Sequence, residues 1–173
     1  MSDSDELLEI VNSKGEAIGL APRSEIHGNP SLIHRVVHVL VFNKKGELLL
    51  QKRALSKDVA PGKWDTSVGG HMNPGESTLE AAKREMEEEL GIKNCKPAFL
   101  YTYTHTNPYE TELVYTYKCQ SNEQLSFNKD EIDDVRPWQM DEIQKNIGTN
   151  IFSDNFEHEI STYLKFIYLK QRI

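Results

Sequence analysis

Three glutamates in a short, charged segment have the spacing of a metal-binding face. Glu85, Glu88 and Glu89 lie at positions i, i+3 and i+4 of a stretch whose apolar periodicity predicts a helix. At about 100° per residue, their carboxylates then share one side of that helix. Carboxylate oxygens are the ligands that Mg²⁺ and Mn²⁺ prefer in proteins. The spacing therefore predicts a divalent-cation site on this helix.

A run of glutamates on a helix can also be ordinary solvated charge. On that interpretation Arg84 pairs with Glu80 and Glu88, each pair contributing only a few tenths of a kcal/mol. Such pairing leaves Glu85 and Glu89 without partners near the end of the helix, where carboxylates oppose the helix dipole. A hard cation that also holds substrate phosphates explains this arrangement better than helix stability does.

The segment Gly70–Ile92 resembles the Nudix box, GX5EX7REUXEEXGU, in which U is a bulky aliphatic residue. The sequence matches every defined position of that pattern, namely Gly70, Glu76, Arg84, Glu85, Met86, Glu88, Glu89, Gly91 and Ile92. The resemblance implies a loop–helix–loop that binds Mg²⁺ (or Mn²⁺) during hydrolysis of a diphosphate linked to another group.

The same resemblance assigns roles to single residues. It implies that the cofactor is bound by Glu85, Glu88 and Glu89, with Gly70. It also makes Glu88, Glu89 and Arg84 the catalytic residues, with Arg84 orienting a glutamate through a salt bridge. A role for Glu76 is left open between a structural contact and an outer-shell contact to the metal.

Segments outside the box resemble type I isopentenyl diphosphate isomerase, which is itself built on the Nudix fold. These segments are His34-Arg35, Leu48–Lys57, Pro61–Trp64 and Ser67–His71. The resemblance implies a second metal site, whose matching residues are His27, His34, His71, Glu110 and Glu112. It also implies diphosphate contacts from Arg53 and Lys57.

Each of these assignments has a plainer alternative. A single histidine is more often a surface or satisfied core residue than a ligand, and Arg53 or Lys57 can be solvated charge at a strand end. Taken together, imidazoles with carboxylates suit Zn²⁺ or Mn²⁺ better than Mg²⁺. Two departures count against isomerase activity: the isomerase has its essential cysteine where this chain has Gly69, and isomerases have eroded Nudix boxes. Glycine has no side chain that could transfer a proton.

The residues favour a metal-dependent hydrolase that cleaves a diphosphate linkage in a nucleoside diphosphate derivative or a similar small molecule. The alternatives are an isopentenyl diphosphate isomerase-like enzyme and a non-catalytic nucleotide-binding domain. Candidates for the general base are Glu88, Glu89, Glu110 and Glu112. The leaving group has no signature in the sequence.

Composition narrows the classes of partner. The chain has 173 residues and a formal net charge of −7, which argues against binding to a nucleic acid polymer. No apolar run approaches membrane-spanning length, and two cysteines make no disulfide framework. We therefore expect a cytoplasmic enzyme with a small-molecule diphosphate substrate and no membrane partner. Nudix relatives are often dimers, so the resemblance also allows a homodimer.

The order of the predicted strands and helices indicates a single domain over 1–173. Strands come first, then the box helix, more strands and a terminal helix, which is typical of a mixed sheet covered by helices. The expected fold class is α/β, and the resemblance sharpens it to the Nudix α/β/α sandwich. Residues 1–30 form an N-terminal β-hairpin and loop in this prediction, and residues 70–92 form the box.

Overall fold

The computed structural model describes residues 6–172 and confirms an α/β/α sandwich with an N-terminal β-hairpin. The domain predicted over 1–173 extends beyond the described residues at 1–5 and at 173. The strands within the described part are β1 Leu7–Val11, β2 Ala17–Pro22, β3 Ile33–Phe42, β4 Leu48–Arg53, β5 Trp64–Asp65, β6 Val68–His71, β7 Ala98–Thr106, β8 Thr111–Gln120 and β9 Ile132–Trp138. The helices are α1 Arg23–Ile26, α2 Thr78–Leu90, α3 Met140–Asn146 and α4 Asp154–Lys170.

Strand β3 is the centre of the mixed sheet. Its residues from Val36 to Phe42 are buried, as is typical of a strand that is covered on both faces. It pairs in parallel with β8 along its whole length, with His34 opposite Glu112 and His38 opposite Thr116. On its other edge it pairs with β1, β6 and β4 in turn.

The two faces of the sheet are covered by different helices. Val39 and Val41 pack with Met86 of α2 on one face. Leu40 and Phe42, which alternate with them along β3, pack with Phe156 and other residues of α4 on the opposite face. No helix among residues 6–172 is both long and apolar enough to cross a membrane.

Helix α2 has clear signals at both ends. Ser77 is its N-cap and forms a capping box with Glu80, in which each side chain bonds the other residue's backbone N–H. Gly91 ends the helix in the left-handed conformation (φ 71°), which glycine adopts at no steric cost. The helix predicted through Glu85, Glu88 and Glu89 is therefore confirmed, as α2 from Thr78 to Leu90.

Strand β6 presents alternate residues to the two helical layers. Gly70 faces α2, because a Cβ built on it would overlap the Glu85 carboxylate. Gly69 faces α4, because a Cβ built there would lie 3.1 Å from the His38 ring. His71 shares the face of Gly69 by the alternation of the strand. This one short strand therefore carries residues of both predicted metal sites.

A buried carboxylate fastens α4 to the sheet. Glu159 bonds His38 Nδ1 at 2.7 Å and accepts hydrogen bonds from the hydroxyls of Tyr101, Tyr103 and Thr116. Burial disfavours both charges, but the hydrogen bond with Glu159 raises the pKa of His38. The hydrogen bonds likewise hold the pKa of Glu159 below its usual range. The pair is therefore an ion pair in the protein interior.

We expect replacement of His38 by leucine to destabilise the fold strongly. His38→Leu leaves the Glu159 carboxylate buried without its charge partner, which costs about 3–5 kcal/mol in the free energy of unfolding. Urea denaturation at neutral pH measures this loss. Lys145→Leu is the matched control, because it removes a cation from an exposed ion pair with Asp141 and should change stability little. Equal losses in the two variants would contradict the prediction.

Candidate functional site

Arg84 gathers the carboxylates of the box segment into one cluster. Its Nε and Nη2 donate to the two carboxylate oxygens of Glu76 at 2.8 and 2.9 Å. Its Nη1 donates to Glu85 at 2.6 Å and to Glu88 at 3.1 Å, and its Nη2 also reaches the His71 carbonyl at 2.9 Å. We call Glu76, Glu85, Glu88 and Glu89 the carboxylate cluster; the first three contact Arg84, whereas Glu89 is held by Gln51 and the Gly69 N–H. Arg84 thus joins helix α2 both to the loop before it and to β6.

Glu85 lies directly against the backbone of Gly70. A side chain at position 70 would occupy the space of the Glu85 carboxylate, so only glycine allows this approach. Burial raises the pKa of Glu85, although Arg84 opposes that effect. Gly70 can offer a metal only its backbone carbonyl, because it has no side chain. The close approach brings that backbone and the Glu85 carboxylate to one place.

Glu89 is enclosed by donors from the sheet. Its Oε2 accepts from the backbone N–H of Gly69 at 3.1 Å and from Gln51 Nε2 at 2.9 Å. Burial raises the pKa of Glu89 to about 8, and the negative charge of Glu85 adds to this effect. Two carboxylates that repel each other in a dry environment favour a bound cation, which would relieve the repulsion.

A second group of ligand-type residues lies on the α4 side of β6. We call these residues the histidine–glutamate cluster: His27, His34, His71, Glu110 and Glu112. The ring centroids of the three histidines are 5.2–5.6 Å apart. Potential ligand atoms of His27, His34 and His71 lie within 4.8 Å of one another, and the same holds for His34, Glu110 and Glu112.

The polar atoms inside this cluster converge without bonding one another. His27 Nε2 and Glu110 Oε2 are 3.2 Å apart, and His34 Nε2 lies 3.8 Å from the same oxygen. All three atoms are buried, and none has a hydrogen-bond partner within residues 6–172. Such unsatisfied groups are costly unless something binds them. The donor set therefore fits a cation such as Zn²⁺ or Mn²⁺, for which imidazole and carboxylate are suitable ligands.

The protonation states of the cluster also suit a cation. Burial lowers the pKa of His27 to about 4 and that of His34 to about 3, and the neighbouring His71 lowers both further. Both rings are thus neutral at pH 7 and keep a nitrogen lone pair. Burial raises the pKa of Glu110 to about 7, with Glu112 adding to the effect. A cation would replace the proton that Glu110 otherwise holds.

The expected phosphate contacts lie outside both clusters. Arg53 donates to the Val59 carbonyl at 2.8 Å and pairs with Asp65 at 3.5 Å. It is close enough to the histidine–glutamate cluster to influence the pKa of Glu110. Lys57 pairs with Glu131 at 3.5 Å. Their roles in binding phosphate stay predictions.

His38 occupies the space beside Gly69, where the resembled isomerase has a cysteine. A Cβ at position 69 would lie 3.1 Å from His38 Cδ2 and 3.4 Å from His38 Nε2. A thiol would need room beyond that Cβ, and His38 is held in place by Glu159. This chain thus lacks the thiol and has an imidazole next to its position.

Sequence analysis missed several residues that support these clusters. Gln51 holds Glu89, Asn155 bonds Glu112 at 2.8 Å, and Glu6 contacts His71 at 3.1 Å. An amide at the end of the apolar run of β4 was a usable signal for Gln51. Asn155 and Glu6 are far from their partners along the chain, and no local pattern marks them.

The sequence is similar to known proteins of two kinds. The family described as "NUDIX domain" matches residues 32–159. The chain is 37% identical over 134 residues to "Nudix hydrolase 3" of Arabidopsis thaliana, covering 76% of this chain and 16% of that protein. It is 41% identical over 104 residues to "Isopentenyl-diphosphate Delta-isomerase" of Streptomyces avermitilis, covering 59% of this chain and 53% of that protein. The chain thus spans about half of this isomerase and a small part of the plant protein.

Solved structures show the same fold. The crystal structure of DR0079 from Deinococcus radiodurans superposes with a TM-score of 0.79, covering 91% of this chain and 98% of that chain. Sequence identity between the two is 23%, so this likeness concerns the fold alone.

We expect a methyl group at position 70 to weaken metal binding at the carboxylate cluster. Gly70→Ala forces the Glu85 carboxylate away from the β6 backbone, so Mn²⁺ affinity should fall by about tenfold or more. Electron paramagnetic resonance of free Mn²⁺ measures the affinity. Gly19→Ala is the control, since nothing lies within 4 Å of a Cβ there. An unchanged affinity in Gly70→Ala would disprove the importance of this approach.

The raised pKa of Glu89 predicts a pH-dependent stability in the metal-free protein. Between the usual carboxyl pKa and about 8, the folded state holds a proton on Glu89 that the unfolded state has lost. Stability therefore falls as pH rises, and from pH 6 to pH 8 this residue alone accounts for about 2 kcal/mol. Urea denaturation with EDTA at both pH values tests this. Glu89→Gln should show a smaller fall, and parallel curves for the two proteins would refute the assignment.

Proposed function

This chain belongs to the NUDIX domain family, and we propose that it is a divalent-metal-dependent hydrolase that cleaves a diphosphate linkage in a small molecule. One observation carries the proposal: Arg84 holds Glu85 and Glu88 in a cluster against the backbone of β6, where Glu89 is held as well. A binding module has no need of such a set of carboxylates. A hydrolase needs it, because phosphate oxygens repel an incoming water.

The carboxylate cluster is the proposed site of Mg²⁺ or Mn²⁺. Glu85, Glu88 and Glu89 would hold the ion with the backbone carbonyl of Gly70, all oxygen ligands that suit hard cations. The bound ion would neutralise phosphate oxygens and lower the pKa of the attacking water. Cluster oxygens already have fixed directions, since Arg84 and the Gly69 N–H hold them.

A side chain of the protein then accepts the proton of the attacking water. A carboxylate that is not fully engaged with metal accepts the proton, and Glu88, Glu89, Glu110 and Glu112 are the candidates for this base. Glu88 is the most exposed of the carboxylate cluster, with 58% of its side chain accessible. The proposed reaction is substitution at phosphorus: water forms a new P–O bond, the P–O–P bond breaks, and two phosphate-bearing products are released.

A small diphosphate fits the charge of the chain better than a polymer does. The net charge of −7 repels extended polyphosphate, so attraction must be local. We propose Arg53 as a phosphate contact, because a planar guanidinium suits bidentate phosphate oxygens and Arg53 lies near Glu110. Nucleoside diphosphate derivatives are the proposed substrate class. Lys57 as a second phosphate contact, cytoplasmic location and a homodimer stay predictions from the sequence.

Isopentenyl diphosphate isomerase-like activity is the second candidate. It is favoured by the histidine–glutamate cluster, in which His27, His34 and Glu110 direct unsatisfied atoms to a common place. We propose that this cluster holds a second cation, Zn²⁺ or Mn²⁺. Gly69 counts against isomerisation, because no thiol is present and the His38 ring lies beside that position.

We expect Glu88→Gln to lower hydrolysis by about 10²-fold or more while the fold is retained. The measurement is phosphate or nucleotide release from a panel of diphosphates, with Mg²⁺, with Mn²⁺ and with EDTA. Glutamine keeps the size of the side chain but loses the charge that a cation needs. Glu87→Gln is the matched control, since Glu87 is a neighbouring exposed glutamate that pairs only with Lys93 among the ion pairs of the described residues.

The same panel separates the alternatives. Metal-dependent turnover that is lost in Glu88→Gln supports the hydrolase. Full activity in that variant would refute the proposed carboxylate site. Isopentenyl diphosphate is included, and formation of its isomer without hydrolysis would favour the second candidate. Binding of a nucleotide without turnover of any panel member would favour a non-catalytic domain.

A further inference from the structure

Two members of the histidine–glutamate cluster are held from outside by residues that are not themselves part of it. Asn155 Nδ2 donates to Glu112 Oε2 at 2.8 Å. Glu6 Oε2 lies 3.1 Å from His71 Nδ1. The two supporting residues come from opposite ends of the chain, one from α4 and one from the segment before β1. Neither contact belongs to the carboxylate cluster.

Asn155 stands at a rigid place in the fold. It lies in the first turn of α4, where Ser153 caps the helix by accepting from the Phe156 N–H at 3.0 Å. Phe156 next to it is fully buried. Because this turn is fixed, the Asn155 amide holds Glu112 Oε2 in one direction. The other oxygen, Oε1, then lies 4.0 Å from His34 Nε2.

The amide of Asn155 is not explained by stability. Its Oδ1 is buried and has no hydrogen-bond partner in the described part of the chain, which costs free energy. An apolar side chain at this position would avoid that cost. The amide does donate a hydrogen bond to Glu112. Orienting that carboxylate therefore explains why an asparagine stands at position 155.

Glu6 sets the tautomer of His71. A carboxylate beside Nδ1 favours the proton on that nitrogen, which leaves the lone pair on Nε2. A neutral histidine with its lone pair on a defined nitrogen is the form that binds a cation. A carboxylate that accepts from the far nitrogen of a ligand histidine is a recurrent partner in metal sites, where it also raises the basicity of the ligand.

We infer that Glu6 and Asn155 are positioning residues for the cation of the histidine–glutamate cluster, acting through His71 and Glu112. This inference rests on the proposed second cation. It goes further, because it names the residues that determine how tightly the cluster binds that cation. Residues from the segment before β1 and from the last helix thereby support a single site.

The test measures Zn²⁺ binding by isothermal titration of the full chain and of Glu6→Ala and Asn155→Ala. Each variant should bind Zn²⁺ about 10- to 100-fold more weakly than the unaltered chain. His34→Ala identifies the site, since it should abolish this binding. Glu16→Ala in the β1–β2 hairpin and Asn146→Ala at the end of α3 are matched controls, because their side chains bond Asn12 and the Glu142 carbonyl and not a cluster residue.

Thermal unfolding of the metal-free proteins separates positioning from a structural role. Alanine favours a helix and removes the unsatisfied amide oxygen, so Asn155→Ala should unfold at the same temperature as the unaltered chain, or higher. A structural role predicts the reverse, with a lower unfolding temperature and unchanged Zn²⁺ affinity.

The outcomes distinguish the inference from the proposals beneath it. If His34→Ala loses Zn²⁺ while Glu6→Ala and Asn155→Ala bind it normally, the cluster is a site and the inference is wrong. If His34→Ala binds Zn²⁺ like the unaltered chain, the second cation fails and the inference fails with it. Hydrolysis at the carboxylate cluster is tested separately by Glu88→Gln. Failure of the inference about Glu6 and Asn155 would therefore leave the proposed hydrolase unaffected.

Discussion

The guanidinium of Arg84 is the constraint on which the carboxylate cluster depends. It bonds Glu76 with two nitrogens and reaches Glu85, Glu88 and the His71 carbonyl with the rest of its donors. The hydrogen bonds with Glu76 raise the pKa of Arg84, so its charge is permanent. Without that charge the glutamates would repel one another. A planar group with fixed donors also gives them directions, which a lysine would not.

The two helical layers stabilise the sheet by different means. Helix α2 packs through apolar contacts of Met86 and Leu90, which leaves its glutamates at the edge of the core. Helix α4 packs through apolar contacts of Phe156 and Ile160, and its first turns are also joined to the sheet by polar side chains such as Glu159 and Asn155. Polar contacts have definite partners and geometry, whereas apolar packing tolerates shifts. The first turns of α4 therefore have one definite position beside the histidine–glutamate cluster.

Local patterns predicted much of the fold and of the carboxylate cluster. The capping Ser77, the terminal Gly91 and the spacing of the glutamates are all short-range features, so the helix and its acidic face could be read from the residues. The chain between β4 and α2 forms two short strands, Trp64–Asp65 and Val68–His71, which pair with different partners, β4 and β3. Pairing of that kind is decided by tertiary structure. Local sequence patterns therefore do not predict which strands pair.

Contacts between residues that are distant in the chain could not be predicted from the sequence for the same reason. The histidines and glutamates of the second cluster were grouped only by resemblance to a known family, since nothing in their spacing brings them together. Asn155 and Glu6 were missed altogether, because their partners are distant in the chain and a lone asparagine or glutamate has many uses. The parallel pairing of β3 with β8 places His34 opposite Glu112, and that register follows from the folded sheet.

The alternation of β6 means that only one layer of backbone separates the two clusters. Gly69 and Gly70 add no side-chain thickness there, and His71 on one face contributes to lowering the pKa of Glu85 on the other, against the burial that raises it. A cation bound on one face of β6 therefore makes it less favourable to bind a cation on the other face, because water screens little in this region. In the protein without substrate, a cation bound at one cluster would weaken the binding of a cation at the other. A polyanionic substrate that contacts both clusters would offset this repulsion. If both proposed sites bind cations, simultaneous occupancy would then require the bound substrate as well as the protein.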